Sequence, residues 1–362
     1  MHVETQTRLI LYARDEFGGG HSKTAEGVIR FGPSKIVAVV DRQHAGKTAK
    51  EVCGVGDDIP IVSTVAEAAQ LEADAMLLGC AFVGGRMPEA WRQDILAALE
   101  LGIDVINGLH DFLEDDAEFV AAANRLGRKL IDLRKPPDKL PIANGRGANV
   151  DPLTVLTVGV DCSVGKMTAA IEMDRLATKR GYKSGFVATG QTGIMICGSG
   201  IAIDRVIGDF MAGAIEELVV KDSPGLDMLF VEGQGSLYHP GYSGVTLSLL
   251  HGTAPEAMVL CTKAGLKTIG NEGQWPIADL NDCIKMYEYM SSVIRPAKVI
   301  GICVNTFGLP EDEARKIVDQ AARHTGLPAT DPVRYGCENL VDALEALHKS
   351  RTARRAEPAS KK

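Results

Sequence analysis

Residues 153–170 read LTVLTVGVDCSVGKMTAA: a β-branched run, Gly159, a short turn, Gly165 with Lys166, and then a helix-compatible stretch. A strand that runs through a glycine turn into a helix start confines the chain to an α/β architecture and gives that turn a chemistry. Glycines let backbone N–H groups converge on an anion, the helix N-terminus adds its positive end, and the lysine ammonium neutralises phosphate charge. The residues expected to hold a phosphate-bearing cosubstrate are Gly159, Asp161, Ser163, Gly165, Lys166, Met167 and Thr168.

Two departures from the common loop matter. Five residues rather than four separate the glycines, and Met167 stands where a hydroxyl usually ligates magnesium, with Thr168 one position late. The longer spacing with an aspartate third, Gly159-Val160-Asp161, resembles the loop of dethiobiotin synthetase and its relatives. Metal-assisted γ-phosphoryl chemistry needs a hydroxyl and a carboxylate on Mg²⁺. The loop therefore reads as one that holds its phosphate-bearing partner without cleaving it; no protein-bound metal is assigned, and magnesium stays open.

The rest of the chain repeats the same rhythm. Apolar β-rich runs at Leu9–Ala13, Ile36–Val40, Ile59–Val62, Ala75–Leu78, Val105–Ile106 and Lys129–Ile131 alternate with helical patterns, which implies a parallel sheet. Ser22 and Ser63 are candidate N-caps. Arg134–Pro152 holds four prolines and few apolar residues, the composition of a linker. Beyond it the strands Thr154–Val158, Gly185–Ala188, Met228–Val231, Ala257–Cys261 and Lys298–Val304 are expected, with helices from Lys166, over Arg205–Val220, Ala278–Val293 and Glu311–Thr325. The fold class is thus α/β: an N-terminal Rossmann-like parallel-sheet domain (1–135), a linker (136–152), a P-loop NTPase-like α/β domain (153–349) and a polar tail (350–362). At 362 residues with 45% hydrophobic content, the chain has room for two cores.

In an open parallel sheet, ligands bind at the loops that follow the strands. After the strand ending at Val231 the chain runs VEGQGSLYHPGYSG, and Glu232 and His239 are the candidate catalytic bases. Gln234 from the same loop and Gln191 from Thr189–Gly193 are candidate substrate-binding groups, as are Arg205 and Arg86, whose guanidinium groups suit a carboxylate. Asn107 and His110 also follow a strand. Gly18-x-Gly20 with Asp41 hints at a dinucleotide site, but Lys23 occupies the third glycine position, so the fingerprint is incomplete. Ala45-Gly46-Lys47-Thr48 lacks its first glycine and is rejected as a nucleotide loop.

A net charge of −8 disfavours nucleic acid and anionic lipid as partners. Arg351, Arg354, Arg355, Lys361 and Lys362 read as part of a frayed tail. Eight cysteines without Cys-x-x-Cys spacing read as reduced, mostly buried thiols. No apolar signal core and no run of about 18 apolar residues occurs, so the expectation is a cytoplasmic protein without membrane insertion. Its partners are expected to be a small molecule and further copies of the same chain.

Taken together, GVDCSVGKMT, ATGQTGIMICGSGIAIDRVIGDF, VEGQGSLYHPGYSGVTLSLLHG and the upstream INGLHDFL resemble a bacterial two-domain family known as D-glutamate N-acetyltransferases, over about residues 8–348. The resemblance implies acetyl transfer from acetyl-CoA, as cosubstrate, to the amine of D-glutamate, a step of D-amino-acid catabolism. It fits the loop, because coenzyme A brings phosphates that a Gly-Lys turn can hold without hydrolysis. Two rivals come from other classes: an ATP- and magnesium-dependent ligase or carboxylase of the dethiobiotin synthetase type, and a nucleotide-sensing module without chemistry.

Overall fold

The computed structural model describes residues 3–80, 82, 86–270 and 273–356, with side chains to residue 353. By contact the chain divides into two compact units, residues 1–138 with 190–205 and residues 139–189 with 206–362. Each is built on its own six-stranded sheet, and every strand pair in both sheets is parallel.

The first unit runs β1 (Arg8–Tyr12), α1 (Lys23–Phe31), β2 (Lys35–Val40), α2 (Ala49–Cys53), β3 (Ile61–Val62), α3 (Val65–Ala69), β4 (Ala75–Leu78), α4 (Arg92–Glu100), β5 (Asp104–Asn107), α5 (Ala117–Leu126) and β6 (Leu130–Asp132). Its strand order, β3-β2-β1-β4-β5-β6, reverses direction between β1 and β4, the Rossmann arrangement. The strands are short apolar runs because both faces of a parallel sheet are covered; Leu9 to Tyr12 and Met76 to Leu78 are wholly buried. Helix starts follow local capping. Thr48 and Glu51 form a reciprocal capping box on α2, and the Asp116 carboxylate accepts the amides of Glu118 and Phe119 at α5.

Two expected caps differ. Ser22 precedes α1, but its hydroxyl lies within hydrogen-bond reach of the Gly19 carbonyl and the Glu26 carboxylate, to one of which it donates, and it accepts no helix amide. At α3 the cap is Thr64, which accepts from the Glu67 amide at 3.2 Å, while Ser63 only donates its own amide to Glu67.

The second unit begins with a segment that composition had marked as linker. Its latter part is packed: Arg146 Nε donates to the buried Glu216 carboxylate at 3.1 Å, and the Asn144 amide donates to the same group. The chain continues through β7 (Leu153–Gly159), α6 (Lys166–Lys179) and β8 (Ser184–Val187). It then contributes α7 (Gln191–Cys197) to the first unit, where α7 packs on α1. The second unit resumes with α8 (Gly208–Asp222), β9 (Met228–Val231), α9 (Ser243–Thr253), β10 (Ala257–Lys263), α10 (Leu280–Ser291), β11 (Lys298–Asn305), α11 (Glu311–Thr325), β12 (Ala329–Thr330) and α12 (Glu338–Ala356).

Strand order here is β12-β11-β10-β7-β9-β8, so β7 lies between β9 and β10 and all seven of its residues are buried. The loops after β7, β9 and β10 therefore emerge side by side. Arg351, expected in a frayed tail, is buried instead. Its Nε donates to Glu256 at 3.0 Å and its Nη atoms donate to the carbonyls of Asp151 and Val150, so all three of its nitrogens hold this turn of α12 down. The calls on Lys361 and Lys362, and on the Arg354 and Arg355 side chains, lie outside the described residues, as do Ala81 and residues 83–85 of the turn after β4. Among the described residues no helix is long and apolar enough to cross a membrane.

Candidate active site at the phosphate loop

The loop from Gly159 to Lys166 wraps over the end of β7 and feeds α6. Its turn needs two left-handed residues, Ser163 at φ 56° and Gly165 at φ 105°; the second is a conformation that only glycine adopts readily. The four first amides of a helix have no partner inside it, so the start of α6 presents N–H groups to whatever the loop surrounds. Ser163 is exposed, Met167 and Thr168 are half-buried, and Lys166 is buried.

The Lys166 ammonium donates to the Asp161 carbonyl at 2.8 Å. Burial pushes its pKa down, opposed by the nearby Cys162, Cys261, Asp161 and Glu232. The charge is thus held under the loop rather than waving in solvent. Asp161 is itself fixed: one carboxylate oxygen accepts the Cys162 amide at 2.6 Å and the other the Gly270 amide at 2.9 Å.

The loop after β9 packs against this turn through backbone contacts that tolerate no side chain. The Gly233 amide donates to Thr157 Oγ1 at 3.0 Å, and a β-carbon on Gly233 would fall 1.7 Å from the Thr157 carbonyl oxygen. Ser236 Oγ donates to the Val160 carbonyl, and Tyr287 of α10, fully buried, donates to the Gly159 carbonyl at 2.8 Å while accepting the Leu237 amide. Glu232 is buried; its carboxylate accepts the Thr189 amide at 2.9 Å and the Gln234 side-chain amide at 3.2 Å.

His239 sits at the mouth of the same cluster. Its ring lies 4.5 Å from that of Tyr242, its Nδ1 accepts the Gly241 amide at 3.0 Å, and its Nε2 is 3.9 Å from Asp161 Oδ1. Donor-type atoms of Asp161, Cys162 and His239 lie within 4.8 Å of one another, a grouping that the sequence, read without a metal, did not anticipate. A metal on Nε2 would require a proton on Nδ1. Nδ1 instead accepts a hydrogen bond, so the ring as placed donates from Nε2 rather than ligating.

The second unit thus brings together Gly159, Asp161, Ser163, Gly165, Lys166, Met167, Thr168, Glu232, Gln234 and His239. The other expected residues belong to the first unit. Gln191 opens α7 and donates to Thr24 Oγ1 at 3.3 Å. Arg205 ends a 3-10 turn before α8 rather than starting a long helix; it is exposed, with its guanidinium 4.7 Å from the Phe112 ring. Arg86 is exposed.

His110 lies 3.6 Å from Asp204, which Arg134 also engages; burial and then the Arg134 charge push the imidazole pKa down. Asn107 is structural, donating to Asp111 and to buried Asp132. Asp41, the imagined ribose acid, is spent on the Asp15 amide and His44.

Thr157, Gly270 and Tyr287 escaped sequence reasoning although each holds a loop of the site. For Tyr287 a signal existed, a lone aromatic hydroxyl on the buried face of α10. Thr157 and Gly270 carry no local signal, since their partners are 76 and 109 residues away.

Parallel sheets of these two orders, one topped by a glycine–lysine turn at a helix start, define a two-domain α/β protein with a Rossmann-like and a P-loop unit. The model described as "Domain of unknown function (DUF1611_N) Rossmann-like domain" matches residues 42–136, and that described as "Domain of unknown function (DUF1611_C) P-loop domain" matches residues 141–341. The chain belongs to the DUF1611 family.

A D-glutamate N-acetyltransferase of Tritonibacter scottomollicae is 41% identical over 291 residues, which span 78% of this chain and 85% of that relative. Another, from a Pseudoalteromonas species, is 35% identical over 282 residues, 78% and 84% of the two chains. The crystal structure of a DUF1611 family protein from Anabaena variabilis is similar with a TM-score of 0.90 at 36% identity, covering 94% of this chain and all of that one.

Proposed function

We propose that this protein is an N-acetyltransferase that moves acetyl from acetyl-CoA to the amine of D-glutamate, in the catabolism of D-amino acids. The 41% identity to a D-glutamate N-acetyltransferase over most of both chains carries the reading. The loop chemistry supports it. Converging amides at the start of α6 and a buried Lys166 suit the phosphates of coenzyme A, and Met167 withholds the hydroxyl that magnesium-assisted cleavage would use.

In the reaction the substrate ammonium loses a proton to the base, its nitrogen attacks the thioester carbonyl, the carbon–sulfur bond breaks, and the nitrogen's second proton passes to the departing thiolate, so that coenzyme A leaves as its thiol. Glu232, beside Gln234 and Lys166, is our candidate proton acceptor, and the loop amides of Gln234 and Gly235 are candidate donors to the oxyanion. For the substrate carboxylates the exposed guanidinium groups of Arg86 and Arg205 are the candidates.

The test is direct. Purified protein is mixed with acetyl-CoA and either D- or L-glutamate, without nucleotide, and thiol release and N-acetylglutamate are followed. Product from the D-isomer alone, with no need for ATP, is expected. Turnover only with ATP and Mg²⁺ would instead support the ligase reading, and absence of any acetylated product would end the proposal.

A further inference from the structure

The role of His239 follows from which of its nitrogens is already engaged. The ring is fixed at three points: its backbone closes the turn from Ser236, its face meets Tyr242 at 4.5 Å between centroids, and its Nδ1 accepts the Gly241 amide at 3.0 Å. A neutral imidazole carries one proton, and a nitrogen that accepts a hydrogen bond cannot hold it. The proton is therefore on Nε2.

A second proton would have to enter at Nδ1 and would face the Gly241 N–H, donor against donor. Nε2–H is thus the group that the ring presents to a ligand. Two groups face Nε2, Asp161 and Cys162. The nearer Asp161 oxygen is 3.9 Å away, beyond hydrogen-bond reach, and both carboxylate oxygens already serve the amides of Cys162 and Gly270. Among the described residues Nε2 has no protein acceptor, while the side chain is only 14% exposed.

We propose that His239 is a hydrogen-bond donor through Nε2–H, oriented by the Gly241 amide on Nδ1, for an anionic oxygen of the ligand held at the phosphate loop. The chemistry is that of a phosphate oxygen or of the oxyanion formed on the transferred acyl carbon. The tautomer is independent of the acetyltransferase reading; the choice between these two oxygens rests on it.

Two measurements test the proposal. In protein labelled with ¹⁵N-histidine, the His239 resonances are identified by their loss in His239→Ala. At pH 8 a pyridine-type Nδ1 and a pyrrole-type Nε2 are expected, and the reverse assignment overturns the proposal. This arm holds even if no acetyl transfer is found, so failure of the functional reading shows separately, as wild-type protein without turnover.

The second measurement compares His239→Ala with His239→Gln, whose amide donates but cannot act as a base. Loss of one donor is expected to cost Ala about tenfold, with Gln recovering most of it. A loss confined to calorimetric affinity for coenzyme A and inorganic pyrophosphate identifies a phosphate oxygen; a loss confined to kcat identifies the oxyanion. Gln as inactive as Ala, with circular dichroism showing both folded, would identify a base and sink the donor role, and Ala with wild-type binding and turnover would remove it altogether.

Discussion

The Lys166 ammonium and the Asp161 carbonyl oxygen are 2.8 Å apart, so the one buried cation of the phosphate loop is oriented by the loop's own backbone. A lysine placed this way meets an incoming phosphate at little cost in side-chain entropy. Lys166→Met, which retains the aliphatic volume, is expected to weaken coenzyme A binding by roughly ten- to hundredfold, the value of a hydrogen bond to a charged group. Calorimetric titration checks it, and unchanged affinity would remove Lys166 from the binding site.

Gly233 is the tightest backbone crossing in the second unit. Gly233→Ala forces a methyl against the Thr157 carbonyl and strains the contact between the β7 and β9 loops. Overpacking of this kind costs about 1–3 kcal/mol, and backbone on backbone leaves little room to relax. A lowered melting temperature together with lost activity is expected in thermal unfolding and turnover assays; a wild-type melting temperature would contradict the packing described.

Arg351 shares Glu256 with Arg295, whose Nη2 lies 2.8 Å from the same carboxylate. Arg351→Ala should cost roughly 2–4 kcal/mol, toward the low side of a broken buried pair because Arg295 still compensates the charge. Arg351→Lys should not restore stability, since one ammonium cannot serve Glu256, Val150 and Asp151 together. Chemical denaturation of the three proteins separates these outcomes.

Acid stability should depend on Asp116. Its hydrogen bonds with Arg92 hold the carboxyl below the usual range, aided by the capped amides of Phe119 and Glu118. A carboxylate with a depressed folded pKa stabilises above its unfolded value, near pH 4, and the stabilisation is lost as pH falls through the folded pKa. Asp116→Asn should therefore lose stability at pH 7 and show a shallower decline below pH 4, as followed by thermal melts from pH 7 to pH 3.

Much of this architecture was written in local pattern. The β7 run with Gly159, Gly165 and Lys166 carried its strand, turn and helix in a single stretch, and every apolar run named as a strand became one within a residue or two. Helices α7 and α9 were not legible. Thr189–Gly193 reads as a turn, yet Gly190 caps α7, and α9 is a Gly- and Ser-rich segment whose helicity comes from packing on α8. Propensity is overridden there by tertiary contact.

In the site itself, residue types could be read but their pairing could not. Glu232 at the end of β9 and Lys166 at the start of α6 were visible from chemistry and position. That the Gly241 amide decides which His239 nitrogen carries a proton depends on a turn two residues on, whose geometry no composition reveals.

The chain passes between its two units at three places, after Asp138, after Thr189 and again after Arg205. During synthesis the first unit thus remains without α7 until the phosphate loop and its helix have already emerged from the ribosome. A cut between the matched regions, at residues 136–141, would separate α7 from the helix α1 on which it packs. The matched regions are consecutive in sequence, but the units they build are not.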